Sequence, residues 1–181
     1  MIGLNLQIDS PWLVEIIARA GFDFAMLDAE YGIVYRDLPM LIIAADAAGI
    51  TPIVRVPSHD RSFILLALES GAGGIQVPMV NTPDQAMALV REVKYASLGI
   101  RSFSNATRAD DFGAILTQKC VELMNPESLL IVQLEMREQY LLALLLFMQR
   151  KCGYGVVKVC RPFSLPACIQ SIGLLRCYTK N

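Results

Sequence analysis

The sequence has no excess of charge, no long apolar run and no signal-peptide pattern at its first residues, and each absence argues against a class of protein. Its formal net charge of −1 leaves no basic surface for nucleic acid and no polybasic membrane anchor. The longest apolar run, residues 140–148, is too short to cross a bilayer. The N-terminus has no basic segment followed by an apolar one, as a signal peptide would. We therefore expect a cytoplasmic protein that binds neither nucleic acid nor membrane.

Motifs for dinucleotides, zinc and thiol redox chemistry are missing as well. No GxGxxG follows the first predicted strand, which argues against a dinucleotide-binding sheet. The only histidine, His59, precedes a predicted helix, so we expect a loop or capping residue. The last quarter of the chain holds four cysteines without a CxxC pair or a nearby histidine, and we interpret them as ordinary thiols of a reduced cytosol: Cys152, Cys160, Cys168 and Cys177.

Charge is distributed unevenly along the chain. Residues 1–140 contain all 17 acidic residues and 10 basic ones, whereas residues 141–181 contain six basic residues and no acidic one. The chain is 54% hydrophobic and 18% charged, which is typical of a globular protein. The sequence therefore predicts one domain with a differently composed tail that begins near residue 140.

Residues 1–140 repeat a unit made of a helix, a glycine and an apolar strand. Ser10-Pro11 is a typical helix start, and the helix that follows is predicted to place its apolar residues on one face, namely Trp12, Leu13, Ile16, Ile17 and Ala20. Thr82 and Gln85 have the spacing of a capping box. Further helices are predicted over 61–70 and 110–124, and strands over 22–27, 50–57, 73–80 and 129–135.

This alternation predicts an α/β fold with a parallel sheet. Strands that alternate with helices of about 10–15 residues form βαβ units, and near-continuous apolar strands indicate that both faces of the sheet are covered. We favour a (β/α)₈ barrel of the TIM type, which is typically about 250 residues long. The chain supplies about six βα units, so we expect an incomplete barrel in which the last two strands are missing.

Polar side chains occur where three predicted strands end, which is the edge that carries the active site in such barrels. Asp28 and Glu30 follow the strand predicted over 22–27, Arg55 lies in that over 50–57, and Gln133 and Glu135 end that over 129–135. These residues could be ordinary ion pairs at the rim or parts of a site, and charge arriving from three strands favours a site. An arginine among carboxylates suits a small anionic substrate and a hard divalent cation.

Five stretches in this part of the chain resemble the HpcH/HpaI aldolase family. They are "AGFDFAMLDAEYG", "PIVRVPSHD", "ALESGAGGIQVPMVNTPDQA", "KYASLGIRSF" and "LLIVQLEMRE", which together span roughly residues 3–140 in the family's order. The resemblance implies a homo-oligomeric (β/α)₈ barrel that uses Mg²⁺, Mn²⁺ or Co²⁺. It further implies a carbon–carbon lyase that cleaves a 4-hydroxy-2-oxoacid to pyruvate and an aldehyde.

The same resemblance implies roles for the residues at the strand ends. Glu135 would be a metal ligand, and Arg55 would steady the enolate oxygen that develops when the carbon–carbon bond breaks. Gln133 would lie beside the metal and the substrate. Asp28 and Glu30 would support these groups from behind.

Two positions depart from the family's pattern. Tyr31 stands where the family has a catalytic histidine, and a phenol is a poorer general base than an imidazole. In the family, that histidine pairs with a carboxylate of a neighbouring subunit, and Glu69 stands at the position of that carboxylate. Ser164 stands where the family has an aspartate that is its second metal ligand and whose backbone holds the pyruvate carboxylate. A hydroxyl is a weaker ligand for a hard dication than a carboxylate is. Residues 141–181 retain a remnant of strand six and lack the C-terminal helix of the family's oligomer contacts.

Three functions follow as alternatives. The first is an aldolase with impaired activity, and the second is a non-catalytic, truncated barrel that acts only as a subunit or interaction partner. The third, a related lyase acting on a CoA thioester, ranks last because the sequence has no basic groove for CoA.

Overall fold

A seven-stranded sheet forms the centre of the computed structural model, which describes residues 1–134, 156–159 and 169–171. The strands are β1 (Ile2–Leu6), β2 (Phe24–Asp28), β3 (Thr51–Arg55), β4 (Gly74–Val77), β5 (Leu129–Leu134), β6 (Val156–Val159) and β7 (Ile169–Ser171). The helices are α1 (Pro11–Arg19), α2 (Leu38–Ala47), α3 (Arg61–Glu69), α4 (Pro83–Val93) and α5 (Thr117–Glu127), with short 3₁₀ turns at Tyr35–Asp37 and Arg108–Asp110.

The strand order follows the order of the chain, as the barrel prediction requires. Strands β1 to β6 are parallel, and each pairs with the next one along the sequence. Their carboxyl ends therefore meet at one edge of the sheet, which we call the carboxyl edge. Strand β7 was not predicted, and it pairs antiparallel with β1.

The two faces of the sheet are packed differently because alternate side chains point to opposite faces. One face packs against the helices and carries the larger core, which includes Leu27, Val54 and Ile75. The opposite face, which a barrel would enclose, carries a smaller apolar cluster of Phe24, Met26, Ile53 and Ile131. Further along the same strands, this inner face changes from apolar to polar.

The predicted apolar face of α1 was partly wrong. Val14 and Ile17 are the buried residues of this helix, whereas Trp12 is 79% and Ile16 is 59% exposed. Helix α1 lies against α2 and β2, and those neighbours select the buried side of a helix that is apolar nearly all round. The prediction that a glycine follows each helix was confirmed for α1, since Gly21 lies two residues after Arg19, where the helix ends, and has φ +85°.

The other local predictions fared unequally. The capping box was confirmed, because the Thr82 hydroxyl accepts a hydrogen bond from the backbone N–H of Gln85 and the Gln85 side chain accepts one from that of Thr82. The helix predicted over 110–124 begins later, at Thr117. Within the part of the chain that the structure describes, no helix is both long and apolar enough to cross a membrane.

Candidate active site

A bidentate ion pair between Arg55 and Asp28 forms the centre of the carboxyl edge. The two residues end β3 and β2 and are direct partners in the parallel register. The Arg55 Nε atom donates to Asp28 Oδ1 at 2.8 Å, and Arg55 Nη2 donates to Asp28 Oδ2. The planar fork of a guanidinium matches a carboxylate in this way, so each side chain fixes the orientation of the other.

Asp28 is fully buried and serves as the hub of a larger hydrogen-bond network. Gln7 Nε2 donates to its Oδ2 atom at 2.9 Å, and Asn5 Nδ2 does so at 3.4 Å. The backbone N–H groups of Glu30 and Tyr31 donate to Oδ1 at 3.1 and 3.3 Å. The carboxylate thus fixes the backbone of the turn after β2.

The environment of Asp28 favours the ionised carboxylate. Burial alone would raise the pKa of Asp28, but hydrogen bonds from Arg55, Gln7 and Asn5 and the guanidinium charge outweigh burial and hold that pKa below its ordinary value of 3.8. Burial would lower the pKa of Arg55, and the contacts with Asp28 and Glu30 raise it instead. The pair is therefore charged at neutral pH.

Glu30 and Tyr31 surround the outer side of the guanidinium. Glu30 Oε2 lies 3.3 Å from Arg55 Nη1, so Arg55 contacts two carboxylates. The Tyr31 ring lies under the guanidinium, with 5.1 Å between the guanidinium carbon and the ring centroid, a cation–π geometry. Tyr31 is also 71% exposed, which leaves its hydroxyl accessible from solvent.

Two amide side chains extend the polar part of the inner face. Gln76, on β4, is the direct register partner of Arg55 and is fully buried. Gln133, on β5, lies two residues beyond Ile131 on the same face and is 3% exposed. We call the set Asp28, Arg55, Gln76 and Gln133 the polar layer.

The loop after β4 closes over one side of this edge. The backbone N–H of Val80 donates to the Gln133 carbonyl oxygen at 3.2 Å, and His59 Nε2 lies 2.7 Å from the Pro78 carbonyl oxygen. The loop position predicted for His59 was thus confirmed. Met79, between these anchors, is 48% exposed and has φ +54°, a left-handed conformation that is uncommon for a residue with a side chain.

Glu69 lies at the opposite end of the strands, because α3 runs from the carboxyl edge back to the start of β4. Its Oε1 atom accepts hydrogen bonds from Arg101 Nε at 3.0 Å and Nη2 at 2.9 Å, and its Oε2 atom accepts one from the Thr107 hydroxyl at 2.6 Å. Within one chain, therefore, Glu69 belongs to an ion pair remote from Arg55. A role across a subunit boundary stays a prediction.

The two predicted metal ligands, Glu135 and Ser164, lie outside the described residues. In the sequence, Glu135 directly follows Leu134, the residue at which β5 ends. Among the residues that the structure describes, no group of three or more His, Cys, Asp and Glu side chains could hold a metal ion, and Asp28 and Glu30 are engaged by Arg55. The described carboxylates therefore do not form a metal site by themselves.

Sequence reasoning missed three residues at this edge, namely Asn5 and Gln7 of the Asp28 network and Gln76 of the polar layer. Gln76 could have been found by the signal that identified Arg55, a polar side chain inside an otherwise apolar strand. In the stretch "GGIQVPMV", Gln76 is that polar residue. Asn5 and Gln7 alternate at the end of β1, and that spacing places both side chains on one face.

Parallel strands that pair in chain order from β1 to β6, with a charged site at their carboxyl edge, are typical of a protein of the TIM-barrel type. The chain belongs to the HpcH/HpaI aldolase/citrate lyase family, whose model matches residues 1–139.

Individual relatives agree with this assignment. The chain is 36% identical over 138 residues to the hydroxypyruvate/pyruvate aldolase of Deinococcus radiodurans, a match that covers 75% of this chain and 49% of the relative. It is 37% identical over 116 residues to the 4-hydroxy-2-oxovalerate aldolase of Novosphingobium aromaticivorans, covering 62% and 43%. The chain thus spans about half the length of the curated relatives it matches.

The fold agrees with a solved structure of the family. A HpcH/HpaI aldolase/citrate lyase family protein from Burkholderia cenocepacia superposes with a TM-score of 0.76 at 27% identity. The superposition covers 87% of this chain and 62% of that protein. The barrel-type fold predicted from the sequence was therefore confirmed.

Proposed function

We propose that this protein is a carbon–carbon lyase that cleaves a 4-hydroxy-2-oxoacid to pyruvate and an aldehyde. The observation that carries the proposal is the Arg55 guanidinium, held at the carboxyl edge by buried Asp28 in a chain whose relatives are named pyruvate aldolases. A fixed cationic donor at this edge suits an oxygen atom that gains negative charge during bond cleavage.

We assign the following roles to the residues at the carboxyl edge. Arg55 orients the oxoacid and stabilises charge on its C2 oxygen, while Asp28 and Glu30 keep the guanidinium in place. Gln133 lies beside the bound acid. A divalent cation, held by Glu135 and Ser164, would supply Lewis-acid stabilisation of the enolate when bound. The site would lie in a cytoplasmic homo-oligomer, to which Glu69 of a neighbouring copy would contribute.

Thermal unfolding of the full chain with Mn²⁺ and pyruvate tests the proposal. A ligand at a hundred times its Kd adds about 2.7 kcal/mol of stability, so we expect the unfolding midpoint to rise by roughly 5–10 °C. Mn²⁺ alone and Mn²⁺ with lactate, which lacks the keto oxygen, are the matched controls. A midpoint that pyruvate leaves unchanged would contradict the proposal, whereas a rise justifies an assay for pyruvate release.

One observation favours a second candidate, a non-catalytic subunit of a larger assembly. The family's histidine position holds Tyr31, an exposed phenol beside Arg55. In that case the polar layer binds an oxoacid without turning it over. The two candidates differ in whether any residue at this position transfers a proton.

Substitutions of Tyr31 separate the two candidates. If the ring only stacks on Arg55, Tyr31→Phe should change kcat less than about tenfold, because the cation–π contact is kept. Tyr31→His should raise kcat about a hundredfold or more, the usual contribution of a placed general base. Steady-state assays of pyruvate release measure both. A loss of a hundredfold or more in Tyr31→Phe would show that the phenol itself transfers a proton.

A further inference from the structure

Gln76 is a buried amide whose side chain is satisfied by no other residue among those that the structure describes. It is fully buried, and neither its Nε2 nor its Oε1 atom has a hydrogen-bond partner in the described part of the chain. Buried amides in folded proteins are usually hydrogen-bonded, since an unpaired one loses its hydration without compensation. A purely structural role does not account for an amide at this position.

The placement of Gln76 connects it to the candidate active site. It is the register partner of Arg55 on one side and of Ile131 on the other, and it faces away from the helices, in phase with Gly74. Two residues further along β5 lies Gln133. Gln76 is therefore the boundary between the apolar cluster and the polar layer, one strand away from the guanidinium.

Several donors around Gln76 already contact other groups. Arg55 contacts Asp28 through Nε and Nη2 and Glu30 through Nη1. The amide groups of Asn5 and Gln7 donate to Asp28. If an anionic oxygen binds in this layer, the Gln76 amide can donate a hydrogen bond to it without first breaking one to another described residue.

We propose that Gln76 is a substrate-binding residue, whose side-chain N–H donates a hydrogen bond to a carboxylate oxygen of the 2-oxoacid that Arg55 orients. This inference rests on the proposed function and adds a specificity determinant to it. Asp28, Glu30 and Arg55 together carry one net negative charge, which disfavours the binding of an acid. A hydrogen-bond donor at position 76 would offset part of that repulsion.

The substitution Gln76→Met tests the proposal by two effects of opposite sign. It keeps the length of the side chain and removes the unpaired amide, so the unliganded chain should unfold about 2–4 °C higher. The same substitution should weaken pyruvate binding at saturating Mn²⁺ at least about tenfold, measured by calorimetry. Gln76→Glu should weaken it further, since a carboxylate repels the acid. Gln76→Leu repeats the test if the methionine variant does not fold.

Asn125→Leu is the matched control, because Asn125 is a buried amide whose Oδ1 atom accepts a 2.8 Å hydrogen bond from the Tyr95 backbone N–H. Here we expect a lower unfolding midpoint and an unchanged Kd for pyruvate. A Gln76→Met chain that binds pyruvate like the wild type, or that is destabilised like Asn125→Leu, would overturn the role of Gln76 alone. Absence of pyruvate binding to the wild type would overturn the proposed function as well.

Discussion

Replacing Arg55 by methionine is expected to lower the free energy of unfolding by about 3–5 kcal/mol. Asp28 has no exposed surface, and it would keep its charge inside the protein after losing both hydrogen bonds from the guanidinium. Chemical denaturation measures the loss, and the thermal midpoint should fall by roughly 10 °C. Stabilisation by Mn²⁺ and pyruvate should disappear in the same variant.

The pH dependence of this loss has a definite sign. The pKa of Asp28 is lowered in the folded wild type, so its stabilisation is present above pH 3.8 and is lost as the pH falls below that value. Without Arg55, burial raises the pKa of Asp28, and the folded variant can take up a proton at mildly acidic pH. The difference in stability should therefore be smaller at about pH 4 than at about pH 7.

Arg36→Met is the control for this prediction, because Arg36 pairs with Asp37 at 3.6 Å while its side chain is 87% exposed. An exposed pair contributes less than about 1 kcal/mol. Asp28→Asn combined with Arg55→Met should recover part of the loss, since neither charge then remains buried. Equal losses in the Arg55 and Arg36 variants would refute the central place given to the Arg55–Asp28 pair.

The second large effect is expected for Glu69→Gln, at about 3–5 kcal/mol. The Arg101 side chain is only 1% exposed and donates two hydrogen bonds to one oxygen of Glu69. A neutral amide leaves that guanidinium without a counter-charge in the protein interior. Denaturant unfolding measures the effect. Pyruvate binding should survive under conditions where the variant is folded, because Glu69 and Arg55 of one chain lie at opposite ends of the strands, and the contribution proposed for Glu69 of a neighbouring copy concerns proton transfer at position 31.

Asp46→Asn is the control from the same region. Asp46 is paired with Arg108, and their side chains are 67% and 31% exposed, so we expect a loss below about 1 kcal/mol. A Glu69→Gln chain with wild-type stability and no aldol cleavage would contradict the structural role. That result would instead favour the role across a subunit boundary that the family resemblance implies.

The fold followed from the sequence because its signals are local and repeat. The units that end in β2, β3 and β4 each carry a helix start, a glycine after the helix and an apolar strand, so the parallel order of these strands needed no long-range information. The wrong predictions concern features that depend on packing against neighbouring elements. Trp12, Ile16 and Ile17 fit an apolar face of α1, yet only Ile17 of these three is buried. The packing of that helix against α2 and β2 leaves Trp12 and Ile16 exposed and buries Val14, which was not predicted.

For the candidate site too, some features followed from the sequence and others only from the structure. By itself, the sequence determined which residues stand at the strand ends, because alternation and strand length fix Asp28, Arg55 and Gln133 at the carboxyl edge. Only the tertiary structure decided which of them meet. Register between separate strands made Arg55 the partner of Asp28 and of Gln76, and the direction of α3 carried Glu69 to the opposite end. Pairing across strands depends on contacts between residues distant along the chain, and a single sequence does not encode those contacts in any local pattern.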